Sequence, residues 1–223
     1  MKAAVVTFPG SNCDDDCVFA LEKLCQFEVD RLWHKETPSL DSYDLIVLPG
    51  GFSYGDYLRC GAIAALSPVI EKVKQFGGDG GIVLGICNGF QMLCEMGLLP
   101  GALAKNDHLN FVCKEVEVEV MTTDSPWTCK MGVGDKLALP IAHGDGRFVI
   151  SEKDYEDLKR QGQIIFSYTV NPNGSAYGIA GICNQKKNIL GLMPHPERAT
   201  DLGSRDGMKI WKSLKHHLEE HRQ

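Results

Sequence analysis

The sequence has no long hydrophobic run, and this absence argues against a membrane protein. A helix that crosses a bilayer needs roughly 18 consecutive apolar residues, and no segment of the 223-residue chain approaches that length. The first residues also make a poor export signal, because only about six mostly apolar residues separate Met1-Lys2 from Pro9-Gly10. We therefore expect a cytoplasmic protein.

Excess positive charge is missing too. The chain has 23 Lys and Arg against 29 Asp and Glu, a net charge of −6, and no basic block. Because proteins that bind nucleic acid or anionic membranes usually carry a basic patch, we expect neither as a partner. The content of 43% hydrophobic and 23% charged residues is typical of a globular protein. The length fits a single domain that covers residues 1–223.

The nine cysteines are neither a disulfide framework nor an evident metal site. Their number is odd and they are scattered through apolar segments, which is typical of reduced thiols in the cytosol. Cys13 and Cys17 lie one helical turn apart, but no Cys or His pair elsewhere completes a zinc-type set. We expect no bound metal, and we expect most of these thiols to fill the core.

The first half of the chain alternates strand and helix patterns. Apolar, β-branched segments predict strands at Lys2–Phe8, Glu28–Trp33, Tyr43–Leu48 and Gly81–Ile86. Helical patterns begin near Ser11 or Asn12 and cover Arg59–Leu66, Pro68–Phe76 and Asn88–Met96. This order predicts an α/β fold with a mostly parallel, doubly wound sheet flanked by helices, and a functional site at the carboxyl ends of the strands.

The second half has a different pattern. Val112–Met121 alternates Val with Glu, which is typical of a half-exposed antiparallel strand. Further strands are predicted at Lys136–Ala142, Phe148–Ile150, Ile164–Val170, Tyr177–Cys183 and Asn188–Met193, and helices at Glu152–Gln161 and Gly207–His221. We therefore expect antiparallel strands to be added at one edge of the sheet.

The most informative segment is Gly81–Gln91, with the sequence GIVLGICNGFQ. An apolar strand leads directly into Cys87, and a helix begins on the next residue. Gly85 and Gly89 leave room for a sharp, strained turn that presents the Cys87 side chain at the sheet edge. The helix N-terminus supplies N–H groups and a positive dipole end, which favour a thiolate. The alternative is that Cys87 is an ordinary core cysteine.

A candidate base lies in the segment PHPE, which follows the predicted strand Asn188–Met193. Prolines on both sides of His195 should hold the segment extended. In extended chain, residues two apart point the same way, so Glu197 can orient His195 toward Cys87. The alternative is a surface turn with a chance carboxylate.

Gly50-Gly51 follows another buried strand, Tyr43–Leu48. This turn and Cys87 both lie at carboxyl ends of predicted parallel strands, so exposed N–H groups of the turn should lie near the thiol. A plain turn is the alternative.

Together these motifs resemble the triad-type (class I) glutamine amidotransferases. The motifs are PGGFSYGD from Pro49, GICNGFQ from Gly85, HGDGRF from His143 and LMPHPER from Leu192. They occur in the order of that family, and the resemblance extends from Val6 to the final helix. It implies a flavodoxin-like amidotransferase fold and the hydrolysis of glutamine to glutamate and ammonia.

The resemblance also implies a role for each matching residue. Cys87 would be the nucleophile, His195 the acid and base, and Glu197 the residue that orients His195. The backbone N–H groups of Gly51 and Asn88 would form the oxyanion hole. Contacts to glutamine are expected from Gly50, Gln91, His143 and Gly144.

Ammonia released by such a chain must be used on another polypeptide, because the sequence contains no GxxxxGK[ST] phosphate loop. The resemblance implies a large synthetase subunit that holds ATP and Mg²⁺, together with a small third subunit. We expect no cofactor on this chain.

Two other functions are compatible with a reactive cysteine. A stand-alone thiol hydrolase, such as a peptidase or a γ-glutamyl hydrolase, would need Cys87 and His195 but not Gln91. A redox-sensing thiol protein would need neither His195 nor Glu197.

Overall fold

The computed structural model describes residues 1–57, 59–201 and 203–221. The strands are β1 (Lys2–Thr7), β2 (Glu28–Trp33), β3 (Leu45–Leu48), β4 (Ile82–Ile86), β5 (Ala102–Ala104), β6 (Val112–Val120), β7 (Lys136–His143), β8 (Arg147–Val149), β9 (Ile164–Tyr168), β10 (Ile179–Cys183) and β11 (Ile189–Leu192). The α-helices are α1 (Asp14–Phe19), α2 (Pro68–Gly78), α3 (Asn88–Glu95), α4 (Glu152–Arg160) and α5 (Gly207–Glu220).

Nine of these strands form one mixed sheet in the order β2-β1-β3-β4-β11-β10-β9-β6-β7. Strands β2, β1, β3, β4 and β11 are paired in parallel. Strands β10, β9, β6 and β7 continue the sheet through antiparallel pairs. The predicted α/β fold with antiparallel strands at one edge is therefore confirmed.

The burial of the strands follows their sequences. Every residue of β3 and β4 is buried, as continuous apolar runs predict for strands covered on both faces. Strand β6 buries Val116, Val118 and Val120 and leaves most of its glutamates exposed, as its alternation predicts. One continuous core results, and its largest fully buried side chains include Trp127 and Trp211.

Three neighbouring parallel strands position the candidate site. Strand β4 lies between β3 and β11, and the chain leaves the three strands at their carboxyl ends. Gly50-Gly51 follows β3, Cys87 follows β4, and His195 follows β11. Because these ends lie side by side, residues far apart in sequence meet at one edge of the sheet.

Two predicted helices differ from the structure. Arg59–Leu66 is not an α-helix: only Ala64–Leu66 forms a short 3₁₀ turn. Gly61 has a φ of +77° and packs so closely on α3 that a Cβ would lie 2.9 Å from the Met92 nitrogen, which prevents a regular helix there. Helix α1 begins at Asp14, and the Ser11 hydroxyl accepts a hydrogen bond from the Phe8 N–H instead of capping it.

None of the helices within the described ranges is long and apolar enough to cross a membrane. All nine cysteines are free, and only Cys113 and Cys129 are exposed. The prediction of a single domain over residues 1–223 stays a prediction.

Candidate functional site

Cys87 has a strained backbone conformation. Its φ and ψ are 51° and −102°, a region that residues with a side chain rarely adopt. The turn is possible because its flanking residues lack side chains. A Cβ on Gly85 would lie 2.7 Å from the Gly89 carbonyl carbon, and a Cβ on Gly89 would collide with the Leu48 carbonyl oxygen. The predicted sharp turn between a strand and a helix is confirmed.

His195 and Glu197 form a buried pair. The His195 Nδ1 atom lies 2.6 Å from Glu197 Oε1, and the side chains are 2% and 0% exposed. Pro196–Arg198 is a 3₁₀ turn, so the expectation of an extended segment is wrong, although the two side chains still meet. The turn is anchored by the His195 N–H, which donates to the Pro140 carbonyl, and by the Trp211 indole, which donates to the Pro196 carbonyl.

The surroundings of His195 favour its protonated form. Burial by itself lowers the pKa of His195, but the Glu197 carboxylate and the thiols of Cys87 and Cys13 together raise this pKa well above its usual value. The His195 Nε2 atom is buried and has no hydrogen-bond partner among the described residues. Since Nδ1 is held by Glu197, Nε2 is the nitrogen that can exchange a proton with a thiol.

Gly50 marks the point where these groups meet. A Cβ on Gly50 would lie 2.7 Å from His195 Cε1, 3.0 Å from the Cys13 sulfur and 3.4 Å from Cys87 Cβ. Only a residue without a side chain leaves room for this packing. Cys87, His195 and Gly50 therefore lie together, as expected for residues that follow the carboxyl ends of neighbouring parallel strands.

Cys13 is a second thiol at this centre. Its position next to His195 was not predicted from the sequence. The side chain is 1% exposed, and its sulfur lies 3.2 Å from the Asn12 side-chain oxygen. The ligand-type atoms of Cys13, His195 and Glu197 all lie within 4.8 Å of one another. Burial raises the pKa of Cys13, which opposes its ionisation.

A cavity of about 210 Å³ opens beside Cys87. Its lining consists of Cys87 together with Gly51, Phe52, Asp56, Cys60, Gln91, Phe111, Ala142, His143, Gly144 and Asp145. Four residues predicted to take part in glutamine binding or the oxyanion hole therefore line one cavity: Gly51, Gln91, His143 and Gly144. Five other residues of the site lie outside its lining: Gly50, Asn88, His195, Glu197 and Cys13.

The cavity is acidic, a feature that no sequence motif indicated. It contains Asp56 and Asp145 and, among its described lining residues, no Lys or Arg. Burial first, and the charge of Asp145 in addition, raise the pKa of Asp56. The Cys60 thiol donates a hydrogen bond of 3.0 Å to Asp145 Oδ2. A cavity with this charge favours a ligand that carries an ammonium group.

Gln91 connects helix α3 to the loop that carries Asp145. Its Nε2 donates to the Asp145 carbonyl at 2.7 Å, and its Oε1 accepts from Asn88 Nδ2 at 2.7 Å. The Asn88 Oδ1 in turn accepts from the Ser53 N–H at 3.2 Å. Asn88 is the first residue of α3, so its backbone N–H has no partner within the helix.

His143 is a neutral hydrogen-bond acceptor. Its Nδ1 lies 3.1 Å from Asn106 Oδ1, and because an amide oxygen only accepts, Nδ1 carries the proton. Burial, aided by the nearby His195, lowers the pKa of His143 to about 4. Its Nε2 is therefore an unprotonated acceptor, and it is buried without a partner among the described residues.

This arrangement contains the groups that thiol catalysis requires. A strained cysteine lies at a helix N-terminus, a histidine held by a carboxylate lies next to it, and a cavity adjoins the thiol. Such a set is suited to acyl transfer from a small amide or ester.

Comparisons with known proteins agree on the family. Residues 1–219 match the family described as the CobB/CobQ-like glutamine amidotransferase domain. A protein of Alkaliphilus metalliredigens (strain QYMF), named phosphoribosylformylglycinamidine synthase subunit PurQ, is 52% identical over 221 residues, which are 98% of this chain and 97% of that protein.

Solved structures show the same fold. A chain in the structure of PurLQS from Thermotoga maritima is 43% identical and superposes with a TM-score of 0.90, over 97% of this chain and 98% of the other. Another protein of Thermotoga maritima, described as a glutamine amidotransferase, is similar in fold alone. Its identity is 21% and its TM-score 0.59, with coverage of 99% of this chain and 84% of the other.

Proposed function

The chain belongs to the CobB/CobQ-like glutamine amidotransferase family, and on that premise we propose that it is the glutaminase subunit of phosphoribosylformylglycinamidine synthase. It hydrolyses glutamine to glutamate and ammonia, and a partner uses the ammonia to convert formylglycinamide ribonucleotide to formylglycinamidine ribonucleotide in de novo purine biosynthesis. The observation that carries this proposal is the convergence of Cys87, His195 and Glu197 beside an acidic cavity.

The reaction is acyl transfer through a thioester. The Cys87 thiolate attacks the side-chain amide carbon of glutamine, and His195 Nε2 donates its proton to the departing nitrogen, which leaves as ammonia. His195 then takes a proton from water, whose oxygen attacks the γ-glutamyl thioester. The thioester bond breaks, glutamate leaves, and Cys87 is regenerated. Glu197 keeps the Nδ1 proton in place throughout.

The oxyanion formed in both steps is held by backbone N–H groups. Gly51 lies in the cavity lining, and the Asn88 N–H is free of the helix ladder. One such donor contributes roughly 3 kcal/mol to the stability of the transition state. Because the backbone is fixed by the tight packing at Gly50 and Gly89, these donors are already in place before the substrate binds.

Cys87, and not Cys13, is the nucleophile. Cys87 lies in the cavity lining and directly precedes helix α3, whose N-terminus favours a thiolate. Cys13 is buried outside the lining, and burial opposes its ionisation. A substrate in the cavity therefore meets only one of the two thiols.

The acidic end of the cavity binds the amino-acid end of glutamine. An ammonium group has three N–H donors, and Asp145 and Asp56 are acidic acceptors in the lining of the cavity. Gln91 fixes the Asp145 loop through its hydrogen bond to the Asp145 carbonyl. The His143-Gly144 turn, which is part of the lining, completes these contacts through its backbone. A contact from Gly50 is expected from the family resemblance alone, because Gly50 lies outside the lining.

The ammonia is used by a partner. The large synthetase subunit of phosphoribosylformylglycinamidine synthase holds ATP and Mg²⁺, and a small third subunit completes the complex. The relative that covers 98% of this chain is named as a subunit of that synthase, and a similar chain occurs in the PurLQS structure. The chain itself needs no cofactor, and it acts in the cytoplasm.

One experiment separates this function from its rivals. The purified chain, alone and with its synthetase partner, is incubated with glutamine, a γ-glutamyl dipeptide or hydrogen peroxide, and glutamate, ammonia and oxidised thiol are measured. We expect glutamate and ammonia from glutamine alone, their loss in Cys87→Ala, and their retention in Cys25→Ala, which removes a buried thiol remote from the cavity. Faster cleavage of the dipeptide would favour a stand-alone hydrolase.

A further inference from the structure

The turn from Gly51 to Asp56, which follows β3, has a strained backbone. Tyr54 and Asp56 both have a φ of +54°, and Gly55 between them has a φ of +68°. Residues with a side chain rarely adopt this left-handed conformation, and they keep it only where the surroundings hold it. Gly51, Phe52 and Asp56 line the cavity, whereas Tyr54 lies outside the lining. The Tyr54 side chain therefore serves the turn in another way.

Tyr54 ties the turn to a buried histidine. The Tyr54 hydroxyl oxygen lies 2.9 Å from His34 Nδ1, and the two rings meet edge to face with their centroids 5.4 Å apart. His34 is 2% exposed. Its N–H donates to the Thr7 carbonyl at 3.0 Å, and its carbonyl accepts from the Val69 N–H at 3.2 Å. His34 is thus fixed between the end of β1 and the start of α2, and it offers Tyr54 a rigid partner.

Two backbone hydrogen bonds connect the position of Tyr54 to that of Gly51. The Tyr54 N–H donates to the Pro9 carbonyl at 2.6 Å, and the Phe52 N–H donates to the Gly10 carbonyl at 2.9 Å. Both bonds join the turn to the loop after β1. Since only two residues separate Tyr54 from Gly51, a shift of Tyr54 along this loop also changes the direction of the Gly51 N–H.

Asp56, at the other end of the turn, has a separate hold. Asn88 Nδ2 donates to Asp56 Oδ1 at 3.3 Å, and Asn88 Oδ1 accepts from the Ser53 N–H at 3.2 Å. These contacts come from helix α3 and do not involve His34. The Asp56 carboxylate can therefore keep its place when the bond between Tyr54 and His34 is lost.

We propose that Tyr54 and His34 are positioning residues for glutamine hydrolysis, because their hydrogen bond holds the turn in the conformation that presents the Gly51 N–H to the oxyanion. Neither side chain touches the substrate. This role rests on the proposed function, in which the Gly51 N–H is an oxyanion donor. Such a donor acts in the transition state, so its displacement lowers kcat more than it raises KM.

The test compares Tyr54→Phe with Tyr43→Phe in the full chain with its synthetase partner. Tyr43→Phe is a matched control, because it also loses a phenol hydrogen bond, from Tyr43 to Asp30 at 2.7 Å, and lies outside the cavity lining. In Tyr54→Phe we expect kcat for glutamate release to fall roughly tenfold or more and KM to change less than about threefold, since Asp56 keeps its own contact. Tyr43→Phe should match the wild type.

Alkylation of Cys87 by iodoacetamide forms no oxyanion, so it separates the positioning of Gly51 from general damage to the site. Its rate in Tyr54→Phe should equal that of the wild type. An alkylation rate that falls as much as kcat would show general damage and would overturn the proposal.

His34→Phe, which keeps a ring but removes the ring nitrogens, tests whether the two residues act through one bond. It should lower kcat as much as Tyr54→Phe does, and the double variant should be no slower than either single variant. Losses that multiply in the double variant would show that Tyr54 and His34 act separately, contrary to the proposal.

Amide hydrogen exchange of the peptide that spans residues 49–57, measured by mass spectrometry, needs no activity. We expect faster exchange in Tyr54→Phe than in the wild type or Tyr43→Phe, because the turn opens more often. Unchanged exchange, or wild-type kcat in a folded Tyr54→Phe, would overturn the proposal. Faster exchange in Tyr54→Phe, with a wild type that does not hydrolyse glutamine, would support the hold on the turn and contradict the proposed function alone.

Discussion

The Nδ1 atom of His195 lies 2.6 Å from the Oε1 atom of Glu197, and both side chains are buried. A carboxylate at this distance accepts the Nδ1 proton, so that only Nε2 exchanges protons with the thiol and the leaving group. Burial alone would lower the pKa of His195, but the Glu197 carboxylate, together with the thiols of Cys87 and Cys13, reverses the effect and stabilises the imidazolium that forms during catalysis.

Replacing Glu197 by Gln should impair glutamine hydrolysis less than removing either of its partners. The Gln side chain still offers an oxygen to Nδ1 but no charge, so the orientation of His195 is kept and the imidazolium is less stable. We expect a residual kcat roughly tenfold or more above that of Cys87→Ala or His195→Ala, measured by glutamate release. A Glu197→Gln variant as inactive as Cys87→Ala would mean that Glu197 does more than orient His195.

Replacing Asp145 by Asn should weaken glutamine binding without changing the reactivity of the thiol. The loss of one charged partner of the ammonium group should raise KM roughly tenfold. Alkylation of Cys87 by iodoacetamide, which has no ammonium group, should proceed at the wild-type rate. Asp154→Asn, at an exposed position on helix α4, is the control. Unchanged KM in Asp145→Asn would remove this residue from substrate recognition.

Adding one methyl group at Gly50 should disable the centre. The new Cβ would lie 2.7 Å from His195 Cε1 and 3.0 Å from the Cys13 sulfur, so the imidazole must move, and small displacements of catalytic groups cost roughly 100-fold in rate. Gly78→Ala is the control, because nothing lies within 4 Å of a Cβ there. Circular dichroism should show that both variants are folded. Wild-type kcat in Gly50→Ala would show that the packing at Gly50 is not needed for catalysis.

Stability should fall as the pH is lowered, in part because of His143. Its pKa is about 4 in the folded protein and 6.5 for the free side chain. Between these values the unfolded chain binds the proton more readily, so the free energy of unfolding decreases as pH falls from 6.5 toward 4. From pH 7 to pH 5, the contribution of His143 lowers the free energy of unfolding by about 2 kcal/mol. Urea unfolding at pH 7 and pH 5 measures it.

His143→Gln is the matched variant for the pH experiment, since a Gln side chain bonds to Asn106 but does not titrate in this range. The difference in unfolding free energy between pH 7 and pH 5 should be smaller in this variant than in the wild type, by about 2 kcal/mol. Equal differences in the two proteins would show that His143 is not buried in its neutral form.

The parts of the site that could be predicted from sequence are those that are encoded within short, contiguous segments of the chain. The turn at Cys87 was predictable because a buried strand, the flanking glycines Gly85 and Gly89, and a helix start all occur within the eleven residues Gly81–Gln91. The strands that carry Gly50 and His195 were predictable because they are continuous apolar runs. Parallel pairing of these strands then places their carboxyl ends side by side.

The parts that could not be predicted depend on packing between distant segments. Cys13 approaches His195 because helix α1 packs against the 3₁₀ turn Pro196–Arg198, with Arg198 donating to Asp16 at 2.9 Å. Asp56 and Asp145 lie on loops whose courses are fixed by contacts to α3, including the bond from Gln91. Helix propensity at Arg59–Leu66 was overridden by the close approach of Gly61 to α3. No local pattern encodes such contacts.

The most direct measurement uses the complex rebuilt from a Cys87→Ser chain and its synthetase partner. Formation of formylglycinamidine ribonucleotide is measured twice, with glutamine and with ammonium chloride at alkaline pH, where more of the ammonia is neutral and nucleophilic. Because Cys87 only releases ammonia, we predict that the glutamine-dependent reaction is lost and that the ammonium-dependent reaction proceeds at the wild-type rate. Loss of both reactions in a complex that still assembles would contradict this division of labour.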